Sequence, residues 1–504
     1  MNRKWWTLVV ACTATFMFLV DLTIVIVALP QIEHALHANF ADIEWVVDAY
    51  ALTLAAALLT AGALADRYGQ RLIFVIGLVI FTLGSALCGL AQSPLMLILS
   101  RAGQGIGGAI IFATSLSLLA NSFHGKDRGV AFGIWGGITG LAAGVGPILG
   151  GVITTGISWR GIFWVNVPLG AAAIIVTLWN VEEYRSAQSH RPDWTGFVTF
   201  TAAMVALVYG LTEAGRTSWG NTSVIASLCA AVALIAVFII AERSAVHPML
   251  DLSLFRVPTF DGGLIAAFAM NASLFAMLLY LVLYLQDDLG YSALGTGMRL
   301  LLLTGPTLIV ATIAGRASSH IPVRWLIGPG LGLVGVGLIL MAGLDAASSW
   351  THLLPGLLVA GVGSGLVNPP LASTAVGVVK PQRAGMASGA NSTGRQIGIA
   401  VGIAVYGTLF TTLLLHSLEH ALSRAPGLAR RSAEIASAID QGTIGRAIVA
   451  TTPRVRGELV TAIHSAYTGA LNELLIVSGI LALAGAVLAV SLIRPKDFVG
   501  SSHN

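Results

Sequence analysis

Apolar runs broken by short charged or glycine-rich turns recur along the whole chain, at roughly 5–29, 43–64, 72–91, 94–119, 129–155, 161–180, 194–213, 223–242, 259–286, 291–315, 325–345, 352–374, 385–415 and 466–492. A helix rising ~1.5 Å per residue needs about 20 apolar residues to cross a hydrocarbon core of ~30 Å. Most of these runs have that length, and glycine, proline and charge collect between them. The pattern predicts an all-α integral membrane protein with fourteen spanning helices.

Composition strengthens this reading. Of 504 residues, 56% are hydrophobic and 10% charged, with a mean hydropathy of +0.84. A soluble domain carries about 25% charged residues. The pI of 9.1 does not point to nucleic acid, because the basic residues suit topology. With both termini in the cytoplasm, the inner segments hold Arg3, Lys4, Arg67, Arg71, Lys126, Arg128, Arg185, Arg191, Arg243, Arg256, Arg316, Arg324, Lys380, Arg383, Arg494 and Lys496, against Arg160 and Arg216 in the short outer loops. The last outer loop, 416–465, breaks that bias with Arg424, Arg430, Arg431, Arg446, Arg454 and Arg456. Arg3-Lys4 and the run that follows read as a retained first helix, too long for a signal peptide. Cys12, Cys88 and Cys229 fall inside spans and imply no disulfide framework. The expected place is the plasma (inner) membrane.

The turn Gly62-Ala-Leu-Ala-Asp66-Arg67-Tyr-Gly69-Gln-Arg71 joins the second and third spans. Gly62, Asp66 and Arg71 recur 253 residues later as Gly315, Ser319 and Arg324, the second copy having lost its acid. The repeat predicts two six-helix halves, 1–180 and 259–504 (the latter including loop 416–465), around an inserted helix pair with cytoplasmic linkers at 181–258. Repeated halves with a site between them characterise secondary transporters.

Enzyme chemistry has no foothold. There is no G-x-x-x-x-G-K-[ST] for ATP, no G-x-S-x-G elbow and no Cys/His spacing suited to a metal. Gly103-Gln104-Gly105-Ile106-Gly107-Gly108 matches G-x-G-x-x-G but lies within a span rather than after a strand, so close helix packing explains it better. No cofactor is expected.

Several residues inside the spans are candidates for function. Asp21 lies about two-thirds along the first span, where a lipid-facing carboxylate is costly, so it faces either a cavity or a partner. It reads as a proton carrier or cation anchor, or as a helix-packing acid. Arg101 lies in the fourth span, as a cavity residue or a snorkelling cation. Asp48, in the outer half of the second span, is a further cavity candidate. Gly140, Gly144, Gly146, Pro147, Gly150 and Gly151 place a run of small residues around one proline in the fifth span, for close crossing or as a hinge. Asp66 stands where it can cap the amides of the third span, with Arg67, Arg71, Asp127 and Arg128 as companions in a charge network.

These stretches resemble the major facilitator superfamily, and within it the drug:H+ antiporter-2 (14-spanner) family. The turn at Gly62–Arg71 resembles its loop 2–3 signature. Leu19-Val-Asp21-Leu-Thr-Ile-Val-Ile26-Val-Ala-Leu-Pro30 resembles its first-helix signature, with Ile26 in place of the usual Asn. Arg101-Ala-Gly-Gln104-Gly105 is similar to its R-x-x-Q-G motif, and Gly140–Gly151 to the antiporter motif C. Further likenesses are at Trp159–Gly170, at Tyr284–Gln286 with Gly290–Ala293, and at Gly389–Gly398. The resemblance implies a proton-coupled exporter of an amphiphilic small molecule, driven by the proton gradient. It implies that Arg101 borders the central cavity and influences a nearby acid, and that the charged turn (Gly62, Asp66, Arg67, Gly69, Arg71) latches the cytoplasmic face. Partners are then substrate, protons and the lipid bilayer, with no nucleic acid; the chain is expected to be a monomer, and an outer-face partner is left open. A proton-coupled importer of a nutrient and a non-transporting receptor or assembly factor are the alternatives.

Overall fold

The computed structural model describes residues 3–123, 125–184, 193–245, 248, 250–318, 321–379, 384–424 and 453–498. Its long helices are α1 (Arg3–Leu36), α2 (Phe40–Tyr68), α3 (Gln70–Gly89), α4 (Pro94–Ser122), α5 (Gly125–Gly156), α6 (Gly161–Asn180), α7 (Trp194–Arg216), α8 (Thr222–Ser244), α9 (Pro258–Asp288), α10 (Ala293–Ala317), α11 (Arg324–Met341), α12 (Leu354–Gly377), α13 (Ala384–Arg424) and α14 (Pro453–Leu492). No strand occurs among the described residues. Among the described residues, twelve helices are long and apolar enough to cross a membrane; α2 and α5 stand outside that set, although α5 contains the apolar stretch Val145–Gly156, so the expected count of fourteen is not confirmed. The expected loop 416–465 is shorter than read, because α13 runs on to Arg424 and α14 begins at Pro453; residues 425–452 lie outside the described residues.

Local chemistry sets the helix ends. Asn39 and Asp42 exchange side-chain and backbone hydrogen bonds at the start of α2, a capping box. Ser93 caps α4 ahead of Pro94, and Asp193, Asn221 and Ser292 cap α7, α8 and α10. Gly69, between α2 and α3, has φ +115°, and a Cβ there would lie 2.6 Å from the Glu183 carboxyl carbon. Only glycine meets both demands. Within α9, π-helical turns at Asn271–Phe275 and Tyr284–Asp288 flank the segment that bears Tyr280.

Large apolar side chains point outward, among them Leu83, Val232 and Ile240. Only 17% of the most apolar window of α8 is buried inside the protein. Such a surface is stable against lipid rather than water, so the chain is a multi-pass membrane protein.

The packing repeats. In α1–α6, α4 packs on α2 and α3, and α6 on α3; in α9–α14, α12 packs on α10 and α11, and α14 on α11. The two sets meet where α5 lies on α10 and α2 on α13, and the α7–α8 pair leans on that second contact through α7. The start of α1, the α2–α3 turn and the end of α6 share one face, here the terminal face; the α1–α2, α5–α6 and α9–α10 turns lie on the far face. Hydrogen bonds between the two sets include Gln286 to the Val27 carbonyl (2.8 Å), Leu294 N to Thr155 (3.3 Å), Tyr280 to Glu44 (3.0 Å) and Thr393 to the Ala55 carbonyl (3.0 Å). They lie between mid-depth and the far face.

Candidate functional site

Asp21, on α1, is completely buried. Arg101 and Gln104 stand three residues apart on α4 and therefore share a helix face. Arg101 Nη1 donates to Asp21 Oδ2 at 2.5 Å and to Gln104 Oε1 at 2.8 Å, while Nε donates to the Val46 carbonyl of α2 at 3.3 Å. The other carboxylate oxygen, Asp21 Oδ1, accepts from Gln104 Nε2 (2.9 Å) and from Asn166 Nδ2 of α6 (3.2 Å). Ser85 of α3 completes the cluster: its hydroxyl accepts from Gln104 and Asn166 and donates to the Phe163 carbonyl. The guanidinium carbon sits 4.0 Å from the Tyr50 ring centroid, a cation–π contact from α2.

Every contact to Asp21 is a donor, and an ionised carboxylate is an acceptor only, so the network suits the charged form. A buried ion pair is kept only where further hydrogen bonds satisfy both partners, and here α2, α4 and α6 supply them. Asp21 and Arg101, singled out separately in the sequence, are direct partners.

Asp48 is not part of that cluster. It is fully buried, and neither carboxylate oxygen has a hydrogen-bond partner among the described residues. One turn earlier on α2 lies Glu44, also buried, whose Oε1 is 3.0 Å from the hydroxyl of Tyr280 on α9. The same hydroxyl is 2.8 Å from the Ile403 carbonyl of α13. A Cβ on Gly407 would run into the Glu44 carboxylate, so that glycine lets α13 lie against the acid.

The α5 glycines serve two contacts. A Cβ on Gly146 would meet Thr23, and one on Gly150 would lie 2.8 Å from the Ile24 carbonyl, both on α1. A Cβ on Gly151 would lie 2.6 Å from Leu294 Cα of α10, and Gly297 of α10 reciprocates against the Pro147 carbonyl. Gly140 and Gly144 are in the helix, but their surroundings lie outside the described residues.

On the terminal face, Lys4 pairs with Asp127 at 2.6 Å and Arg3 with Glu182 at 3.3 Å. The amide cap of α3 comes from Glu183, which accepts from Arg71 N (2.9 Å) and Leu72 N (3.2 Å). Arg71 also donates to the Val181 carbonyl, Arg67 lies against the Tyr68 ring, and nothing crowds Gly62. The side chains of Asp66 and Arg128 lie outside the described residues. These bonds all stay within residues 3–184.

Sequence reasoning missed Glu44, Gln104, Ser85, Asn166, Tyr50 and Glu183 as working residues. A signal existed for three: Glu44 precedes Asp48 by one helical turn, and Gln104 and Asn166 are polar residues within recognised motifs.

The Major Facilitator Superfamily model matches residues 11–403. Multidrug resistance protein Stp of Mycobacterium tuberculosis (strain CDC 1551 / Oshkosh) is 36% identical over 400 residues, 79% of this chain and 74% of that protein. The tetracenomycin C resistance and export protein of Streptomyces glaucescens is 32% identical over 507 residues, 97% and 91% of the two chains. Puromycin resistance protein pur8 of Streptomyces alboniger is 32% identical over 401 residues, 79% and 80%. Among solved structures, a bacterial homolog to the human lysosomal transporter Spinster, inward-facing and unoccupied, aligns over 99% of each chain with a TM-score of 0.65 and 17% identity, a likeness of fold. With the repeated helix packing and a family match over most of its length, the chain belongs to the major facilitator superfamily.

Proposed function

We propose that this protein is a proton-driven exporter of amphiphilic drugs, dyes or secondary metabolites, working by alternating access across the plasma membrane. In this reading all fourteen long helices span, α2 and α5 included. The units are 1–180, the inserted pair within 181–258, and 259–504, with both termini in the cytoplasm. The far face is then the outer one. The hydrogen bonds there between α1–α6 and α9–α14 support an inward-open state.

The observation that carries the proposal is the buried Asp21–Arg101 pair. A proton arriving from outside cancels the charge on Asp21 and loosens Arg101; its release inside restores the pair seen here. Each charge moved down 100 mV supplies ~2.3 kcal/mol, so neither ATP nor a cofactor is needed. Relatives named for drug resistance and export support the outward direction over nutrient import.

Inverted proteoliposomes with an imposed pH gradient, offered ethidium and puromycin, test this. Proton-driven accumulation of at least one compound is expected, and Asp21→Asn is expected to abolish it. No accumulation with the native chain, or full accumulation with Asp21→Asn, sinks the proposal.

A further inference from the structure

We infer that Arg395 and Asn391 of α13, with Asn368 of α12, form an anion-accepting subsite that takes a carboxylate or enolate oxygen of an amphiphilic cargo. The inference rests on the reading of the chain as an exporter and gives that exporter a substrate class.

Arg101 and Arg395 both lie well inside long helices, and their charges are handled differently. Arg101 has the Asp21 carboxylate. Among the described residues Arg395 has no acid within ion-pair distance. Its Nε donates to Asn391 Oδ1 at 3.3 Å and its Nη1 to Asn368 Oδ1 at 3.1 Å. Asn368 is fixed in turn, because its Nδ2 donates to the carbonyl (3.1 Å) and hydroxyl (3.2 Å) of Ser364, one turn earlier on α12. Two neutral amide oxygens thus orient the guanidinium without cancelling its charge, and the fork has further N–H donors to offer.

Asn391 supplies an independent observation. It is 4% exposed, and its Nδ2 is buried with no hydrogen-bond partner among the described residues. Leaving such a donor unpaired is costly. A guanidinium without a counter-ion therefore adjoins an amide donor without an acceptor. An oxygen anion answers both needs, through charge-assisted hydrogen bonds. A cationic group would repel the first, and hydrocarbon would satisfy neither.

The surroundings fit an amphiphile. Arg395 stands about 16 Å along α13 from Ala384 at ~1.5 Å per residue, near mid-depth. Arg395 and Asn368 both keep partial exposure there. Because α2, α7, α9, α12 and α14 all pack on α13, that exposure faces the protein interior rather than lipid. A Cβ on Gly394, next to the arginine, would lie 3.6 Å from Leu264 Cδ2 of α9, so apolar surface adjoins the charge. Binding sites for organic molecules combine such a wall with a few placed polar groups.

Equilibrium binding to the full-length protein in lipid nanodiscs, followed by fluorescence anisotropy without a gradient, tests the subsite. The probes are rhodamine 110, which carries a free carboxylate, and rhodamine 123, its methyl ester. The native chain should bind rhodamine 110 at least about tenfold more tightly than rhodamine 123. Arg395→Gln should remove that preference by weakening rhodamine 110. Asn391→Asp, which sets a fixed carboxylate against the guanidinium, should do the same, and it decides the matter if Arg395→Gln fails to fold. Equal native affinities, binding of neither dye, or a preference that survives in a folded variant overturns the inference. Excess inorganic phosphate should leave rhodamine 110 bound; full displacement would assign the site to a free anion and overturn the assignment to cargo. The parent proposal is judged separately. Loss of the carboxylate preference with proton-driven export of ethidium or puromycin intact sinks this inference alone. A preference that holds while export is absent supports the subsite and sinks the parent proposal.

Discussion

Asp21 and Asp48 are both fully buried carboxylates on neighbouring helices, and their surroundings are opposite. Asp21 receives an arginine and two amides inside α1–α6. Among the described residues Asp48 receives nothing, and its neighbouring acid, Glu44, lies at the seam with α9 and α13. The first arrangement holds a charge; the second excludes one.

Breaking the first site is expected to have the largest effect. Arg101→Ala leaves Asp21 buried without its counter-ion and should cost about 3–5 kcal/mol, seen as a large fall in thermal unfolding temperature. Replacing both members, as Asp21→Asn/Arg101→Met, should recover much of that loss; no recovery would show that Arg101 acts through packing on Tyr50 instead.

The seam should respond next. Gly151→Val drives a side chain into the α10 backbone and should cost about 1–3 kcal/mol where α5 crosses α10. Cross-linking across the far face should become inefficient while the Asp21 cluster stays intact. An unchanged cross-linking yield would show that this crossing does not seal the face.

Smaller effects sharpen the contrast. Asn166→Ala removes one of three donors to Asp21 and should cost ~1 kcal/mol, by calorimetry or denaturation in detergent. Asp48→Asn should change stability by less than about 0.5 kcal/mol or raise it slightly, since no bond is lost. A severe loss would reveal a partner to Asp48 and erase the difference between the two sites.

Much of the helix layout was legible because a membrane span needs length and apolarity, both local properties. Asp21 and Arg101 stood out because ionisable residues are rare inside apolar runs. Their pairing was not legible: they are 80 residues apart, and sequence does not say which faces of α1 and α4 meet. Asp66, nearest in the chain to α3, has its side chain outside the described residues, and the cap that is seen comes from Glu183, beyond the end of α6, which no local rule would bring there. Glu44 escaped notice because near a helix start an acid reads as an interfacial charge. Burial by Tyr280 and Gly407, from the distant last six helices, gives it a different character.

By itself, the sequence determined roughly where the helices lie, that they belong in lipid, and which small residues permit close crossing, since capping, hydropathy and side-chain volume act within a few residues. The tertiary structure alone decided which buried acid has a counter-ion and which has none. Whether a charge can persist in a low-dielectric interior depends on groups that other helices bring within ~3 Å, and in this chain those groups come from all along its length.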